Sequence, residues 1–292
     1  MYTQIEANKR RTTVLMVSFF AIIIGLGYAL SWYAGAPPIG TISIAAAISV
    51  VMALVSYYGG DKIALMSAGA VEVTKTENAY LYNMVENLCI AGGVKKIPRV
   101  YVIQDPSINA FATGRDPDHA SIAVTTGALK RLENEELEGV LAHELSHITN
   151  YDIRLMTVVI VLVGAIALIA DLFRFGFHSS DSEGSKGGGA LAIIGLVLII
   201  LSPIIAELIK LAVSRRREFL ADASGALLTR FPEGLARALE KIRDQNQPMA
   251  GANHATAHLF LDNPFRKRGE QISGWFSTHP PIDERIKALR TM

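Results

Sequence analysis

The chain has 292 residues, 50% of them hydrophobic, with a formal net charge of +1 and a mean hydropathy of +0.31. Soluble domains of this length seldom run so apolar, and a charge this close to zero gives no electrostatic case for a nucleic-acid partner. The single cysteine, Cys89, excludes an internal disulfide and a multi-cysteine metal site.

The first feature along the chain is an apolar block from Thr12 to Ala34, preceded by Lys9, Arg10 and Arg11. It is too long for the apolar part of a signal peptide. A second block, Ile39 to Tyr58, follows after only Gly35-Ala36-Pro37-Pro38, so the pair reads as a retained helical hairpin. A third block runs from Leu155 to Phe173 and a fourth from Ala190 to Val213. Each is near the ~20 residues that cross a hydrocarbon core, and a chain in lipid must satisfy its own backbone, which predicts helices. Basic residues cluster before the first block, between the second and third, and at Arg215-Arg216-Arg217, while the connection 35–38 has none. That asymmetry puts both termini and the central segment in the cytoplasm. Asp171, Glu207, Lys210 and Pro203 interrupt the second pair, which either spans or packs partly on the soluble part.

The expected organisation is therefore a transmembrane hairpin over 1–58, a second apolar hairpin over 155–213, and a soluble domain assembled from 59–154 and 214–292. In that domain Glu77 to Ala91 reads as a helix, with Thr74 and Glu77 as a capping box and Gly92-Gly93 as its end. Cys89 falls in its apolar run as a small buried residue. Arg99–Ile103 reads as a strand, and Ile108–Ala112 with Ser121–Thr125 as a hairpin. Glu133 to Asn150 reads as a helix with Asn134 at its N-cap and Leu137, Val140, Leu141 and Ile148 on one face. The fold class is α+β, predominantly helical: four apolar membrane helices plus a zincin-like domain with a small sheet.

The chemistry sits in that last helix, in His143-Glu144-Leu145-Ser146-His147. Histidines four apart project from one face one turn apart, so both imidazoles can reach one Zn²⁺. Glu144 can hold a water at the metal and accept its proton. A catalytic zinc takes a third protein ligand, for which Glu218 in Arg217-Glu218-Phe219-Leu220-Ala221-Asp222 is the candidate. Asp222, one turn on, could receive the far ring N–H of His143 and fix its orientation. Ion pairing of both acids with Arg215, Arg216 and Arg217 fits the spacing equally well. His254 and His258 share the four-residue spacing but lack the adjacent glutamate, and read as a loop or short helix.

With these motifs in place, the chain resembles the HtpX family of bacterial membrane metalloproteases, relatives of the CAAX prenyl proteases. The resemblance covers essentially the whole chain. It rests on the N-terminal hairpin, Asn109-Ala110-Phe111-Ala112-Thr113-Gly114, the His143–His147 motif, the second apolar pair, Arg217–Asp222 and Thr278-His279-Pro280-Pro281. It implies one Zn²⁺ per subunit held by His143, His147 and Glu218, with Glu144 catalytic. It further implies a multi-pass protein of the bacterial cytoplasmic (inner) membrane whose active site faces the cytoplasm. The partners it implies are the lipid bilayer and unfolded or membrane-protein substrates, in a stress-response or quality-control role.

For peptide hydrolysis the substrate is expected to lie extended beside the Ile108–Ala112 strand, where Phe111 is more simply a core residue. An oxyanion needs a further donor. His279, stiffened by Pro280 and Pro281, is the candidate, and Arg285 the alternative; Thr278–Pro281 reads equally well as the end of a loop. The acidic start of the helix, Glu133 to Glu138, speaks against a metal helix inside the bilayer. A non-enzymatic membrane scaffold or transporter with an incidental zinc site is the other reading.

Overall fold

Two long helices begin the chain in the computed structural model, which describes residues 2–35, 37–176, 214–245, 247–249, 259–261 and 280–292. They are α1 (Tyr2–Ala34) and α2 (Pro38–Ser67). The turn between them follows from its residues. Gly35 takes the left-handed conformation (φ 63°), and Pro38 stands at the first turn of α2, where its missing N–H costs nothing. Both helices leave large apolar side chains outside: Val14, Val17 and Trp32 on α1, Ile39, Ile44 and Val51 on α2.

Among the described residues α2 is the one helix long and apolar enough by itself to cross a membrane, with a mean hydropathy of 2.2 over its best window. The third apolar block lies in α6 (Asp152–Gly176), which follows α5 (Asn134–Thr149) after a bend of 81°. The first turns of α6 are covered by protein: Ile153, Leu155, Val159 and Leu162 are buried, with α1, α2 and the sheet packed around the helix. Over these turns the helix packs on protein, the second of the two arrangements that its interrupted apolar sequence allows. The fourth block and the 176–189 connection lie outside the described residues.

The sheet has four strands, β1 (Ala70–Glu72), β2 (Arg99–Ile103), β3 (Ala110–Gly114) and β4 (Ala120–Thr125), in the order β1-β2-β4-β3. β2 and β4 are parallel, and the outer pairs are antiparallel. The expected hairpin is β3–β4, but its first strand starts two residues late. Ile108 and Asn109 follow a bend at 106–107 and are tied to Thr125, whose hydroxyl accepts the Asn109 N–H (3.0 Å) and donates to Ser107 O (2.6 Å). β1 has three residues, too few for an alternation to show, and a short helix, α4 (Thr126–Arg131), follows β4 directly.

Two helix starts also differ from expectation. α3 (Ala79–Gly92) is capped by Asn78, whose side chain accepts the Leu81 N–H, and it ends at left-handed Gly93. Glu77 accepts both the N–H and the hydroxyl of Thr74, but in the turn before the helix. At α5 the cap is Glu133, with Glu136 accepting its N–H (2.8 Å); Asn134 is the first helical residue and bonds Tyr80 instead. The acidic first turn leaves the positive helix end well matched.

α5 is the centre of the protein. Leu137, Val140, Leu141, Leu145 and Ile148 are buried, as the periodicity requires, and so is nearly every other residue from Glu136 to Ile148. It is walled by α3, β3, α7 (Arg215–Thr229) and α8 (Pro232–Gln245), with α9 (Ile282–Arg290) behind them. Phe111 is core, edge-on to Phe260. Cys89 is buried in the separate cluster that includes Leu137 and Leu145 of α5, and its thiol is pushed up to about 11 by burial and the nearby Glu86 charge, which makes it a poor nucleophile.

Candidate metal centre

Three buried side chains from two helices meet at one point. α5 presents His143 and His147 one turn apart, and α7 presents Glu218 from its first turn. The two histidine Nε2 atoms are 3.2 Å apart, and each is 3.7 Å from a Glu218 oxygen. All three donor atoms lie within 4.8 Å of one another. Ligands of a tetrahedral ion at the usual 2.0–2.1 Å stand about 3.4 Å apart, so this set fits a metal such as zinc. Two imidazoles and a carboxylate are also the nitrogen and oxygen donors a borderline divalent ion takes.

The close approach of α7 to α5 depends on Gly225. A Cβ there would stand 3.0 Å from the His143 backbone nitrogen, tighter than ordinary packing allows. A larger residue would push α7, and Glu218 with it, off the histidines.

The far nitrogen of each histidine faces its own carboxylate. His143 Nδ1 is 2.9 Å from Asp222 Oδ1, at an oblique angle. His147 Nδ1 is 3.0 Å from Asp152 Oδ2. These contacts turn both Nε2 lone pairs toward the shared point. Burial depresses the basicity of His143. Burial alone would do the same to His147, but the bond to Asp152 and the charge of Glu218 override it and raise its pKa to about 9. Without a metal, then, the carboxylates hold a proton on this cluster.

Glu144 is buried beside the histidines, and burial pushes its carboxyl up to about 7; a hydrogen bond from the Ala112 N–H of β3 works against that shift. A carboxylate with a pKa near neutrality can both take and return a proton. β3 is an outer strand whose far edge is engaged by the protein itself: Ala110 O accepts the Leu261 N–H at 3.0 Å, the Ala112 N–H holds Glu144, and the Gly114 N–H donates to Thr157 Oγ1 at 3.2 Å.

Asp222 does not pair with the arginines preceding it. It is held by Arg285 in a two-point bridge, Nε to Oδ2 at 2.8 Å and Nη2 to Oδ1 at 2.7 Å. Arg285 Nη1 is 3.8 Å from Glu218 Oε2. Burial would disfavour the Asp222 anion, yet Arg285 and His143 hold its carboxyl well below the usual range. Arg285 is fully buried, with Nε and Nη2 engaged by Asp222 and Nη1 by Leu261 O, so it acts as the counter-ion of the cluster and is badly placed as an oxyanion donor. Replacing Arg285 by Met should destabilise the protein by about 3–5 kcal/mol, because Asp222 is left as an unpaired buried charge. Thermal melts of Arg285→Met and of Arg285→Met with Asp222→Asn check this. The double variant should regain part of the loss, and a single variant melting with wild type would refute the claim.

Of the residues the sequence singled out, His143, Glu144, His147, Glu218 and Asp222 are brought together. His279, His254 and His258 lie outside the described residues. Asp152 was not foreseen, for a geometric reason. Five residues on a continuous helix turn through about 140° beyond a full circle, which would point Asp152 away from His147. The bend at Tyr151 (φ 60°) turns it back. Arg217, 3.5 Å from Asp152 through Nε, is likewise buried instead of solvated.

A sequence model of peptidase family M48 matches residues 75–292. Proteins named protease HtpX homolog align over the whole chain. That of Caldanaerobacter subterraneus subsp. tengcongensis is 45% identical and covered to 98%. Those of Dictyoglomus thermophilum and Lactobacillus helveticus are 46% and 42% identical and covered to 94% and 100%. Among solved structures, the crystal structure of S. mikatae Ste24p superposes with a TM-score of 0.51 at 17% identity, over 99% of this chain and 67% of that one, a likeness of fold.

Proposed function

We propose, for a chain that belongs to peptidase family M48 and is a metalloprotease of the HtpX type, that it is a zinc endopeptidase working at the cytoplasmic face of the bacterial inner membrane. The observation that carries this is the convergence of His143, His147 and Glu218 with Glu144 beside them. His143, His147 and Glu218 hold one ion per subunit, and Asp222 orients His143. A bound zinc ion supplies Lewis acidity toward the scissile carbonyl and toward water. Glu144 takes the proton of the attacking water and passes it to the leaving amine. The substrate is an extended segment beside Ile108–Ala112, read through its backbone. His279 is the candidate donor to the oxyanion.

The membrane reading has its own support. The apolar side chains exposed on α1 and α2 are those a lipid-facing hairpin would carry, and Lys9, Arg10 and Arg11 flank it. Asn8, just before the apolar block of α1, touches Asn150 and Asp152 beside the site. The metal centre would therefore lie on the side of the N-terminus, level with the basic cluster at the lipid surface. The apolar pair 155–213 adds two further membrane helices, and the protease domain is formed by 59–154 and 214–292. A site at that height meets misfolded or damaged membrane proteins, so quality control is the proposed role.

The test is hydrolysis of an unfolded protein, and of a misfolded membrane protein in vesicles, by the full chain loaded with zinc. Cleavage that stops with a chelator and returns with zinc supports the reading. A chain that binds zinc and cleaves neither substrate would sink it and favour a structural metal site.

A further inference from the structure

The metal ligand His147 is positioned through a chain of contacts that begins on the first helix of the protein. Asp152 holds His147 Nδ1 at 3.0 Å through Oδ2, and its other oxygen accepts a 2.6 Å hydrogen bond from Asn8 Nδ2. The same Asn8 nitrogen donates to Asn150 O at 3.0 Å. Asn8 and Asp152 are each 1% exposed, and 144 residues separate them.

The bend that aims Asp152 is itself unfavourable. Tyr151 has φ 60°, a left-handed conformation that an aromatic L-residue seldom adopts and that persists where surroundings hold it. Its neighbours on both sides are held by Asn8, and Lys9 Nζ lies 4.5 Å from the centre of its ring. Two successive residues of α1 thus grip three successive residues of the bend between α5 and α6.

The orientation of the Asn8 amide follows from its partners. Both partners are acceptors, so the nitrogen must face them. Its oxygen is buried with no donor among the described residues. An apolar side chain would avoid that desolvation cost, so packing alone is a poor reason for asparagine here. What asparagine supplies is the pair of donated bonds.

We propose that Asn8 is a positioning residue of the metal centre: the cytoplasmic end of the first helix holds the Asn150–Asp152 bend, and through Asp152 fixes the ring of His147. The N-terminal helix is then part of the catalytic apparatus as well as an anchor. The inference rests on the zinc reading above, and its test separates the two.

Zinc affinity is measured by chelator competition on the full chain in detergent for wild type, Asn8→Leu, Asp152→Asn and the double variant, with the visible spectrum of each Co²⁺-loaded form. Asp152→Asn should weaken zinc by about 10–100-fold, the usual effect of losing a partner of a ligand histidine. Asn8→Leu, which keeps the branched shape and the helix but removes the donors, should weaken zinc several-fold and alter the Co²⁺ spectrum. In the Asp152→Asn background Asn8→Leu should add nothing, since its route to His147 is already cut. Asn8→Asp, which sets a second carboxylate against Asp152, should lose more than Asn8→Leu. Asn8→Leu with wild-type affinity and spectrum, or with an effect that multiplies that of Asp152→Asn, overturns the proposal. Wild type that takes no zinc overturns the metal reading and this inference with it.

Discussion

Glu144→Gln should lower kcat by about 10²–10⁴-fold, the contribution general acid–base catalysis makes, while binding as much zinc as wild type. The amide is isosteric with the carboxylate and can still accept the Ala112 N–H, so packing around it should hold. It cannot take a proton from water. Glu144 is not among the three converging donor atoms, so metal content should not change. Parallel measurement of kcat and bound metal decides the matter. A variant that keeps its zinc and its activity would remove Glu144 from the chemistry. A variant that loses both would make it a structural or ligating group.

Glu218→Ala should fail at the earlier step. Removing one of three donors from a buried site leaves two imidazoles 3.2 Å apart. It also removes a negative charge that helps to offset the buried charge of Arg285. Zinc affinity should fall by more than the 10–100-fold that loss of an outer partner costs, and proteolysis should vanish at zinc levels that saturate wild type. Glu218→Asp, with the carboxylate drawn back by one methylene, should bind weakly and recover some turnover at high zinc. Equal zinc affinity in wild type and Glu218→Ala would mean that another group completes the site. The contrast between the two variants is diagnostic: Glu144→Gln should be a metal-loaded inactive protein, and Glu218→Ala an empty one.

How much of this could be read before the structure depends on the range over which each contact acts. His143, Glu144 and His147 are fixed relative to one another by a single helix, so their spacing already placed them on one face. Glu218 and Asp222 were legible as a pair one turn apart, but ion pairing with Arg215–Arg217 explained that spacing as well. Only the packing of α7 on α5, through Gly225, sets Glu218 against the histidines and Asp222 against His143. Arg285 reads in the sequence as an alternative oxyanion donor because its place in the chain leaves its partner unknown. Its burial against Asp222 makes it a counter-ion instead.

The same distinction runs through the fold. Composition and hydropathy were enough to mark the first three apolar blocks as helical, because a helix satisfies its backbone within its own segment. Periodicity was enough for α5 and its buried face, and turn residues for the end of α1, the start of α2 and the end of α3, whereas α2 runs nine residues past Tyr58, to Ser67. Strand limits and helix caps moved by one or two residues where a side chain from elsewhere competed for the backbone, as Thr125 does at Asn109. The covered start of α6 and the Asn8–Asp152–His147 contacts belong wholly to the tertiary structure. They join residues far apart in the chain, and Asp152 reaches His147 only because Tyr151 adopts a backbone conformation its own chemistry disfavours. Local physics, carried by the sequence itself, determined a metal-binding helix among apolar segments. Long-range packing decided which acid meets the two histidines and which helix reaches the bend beside them.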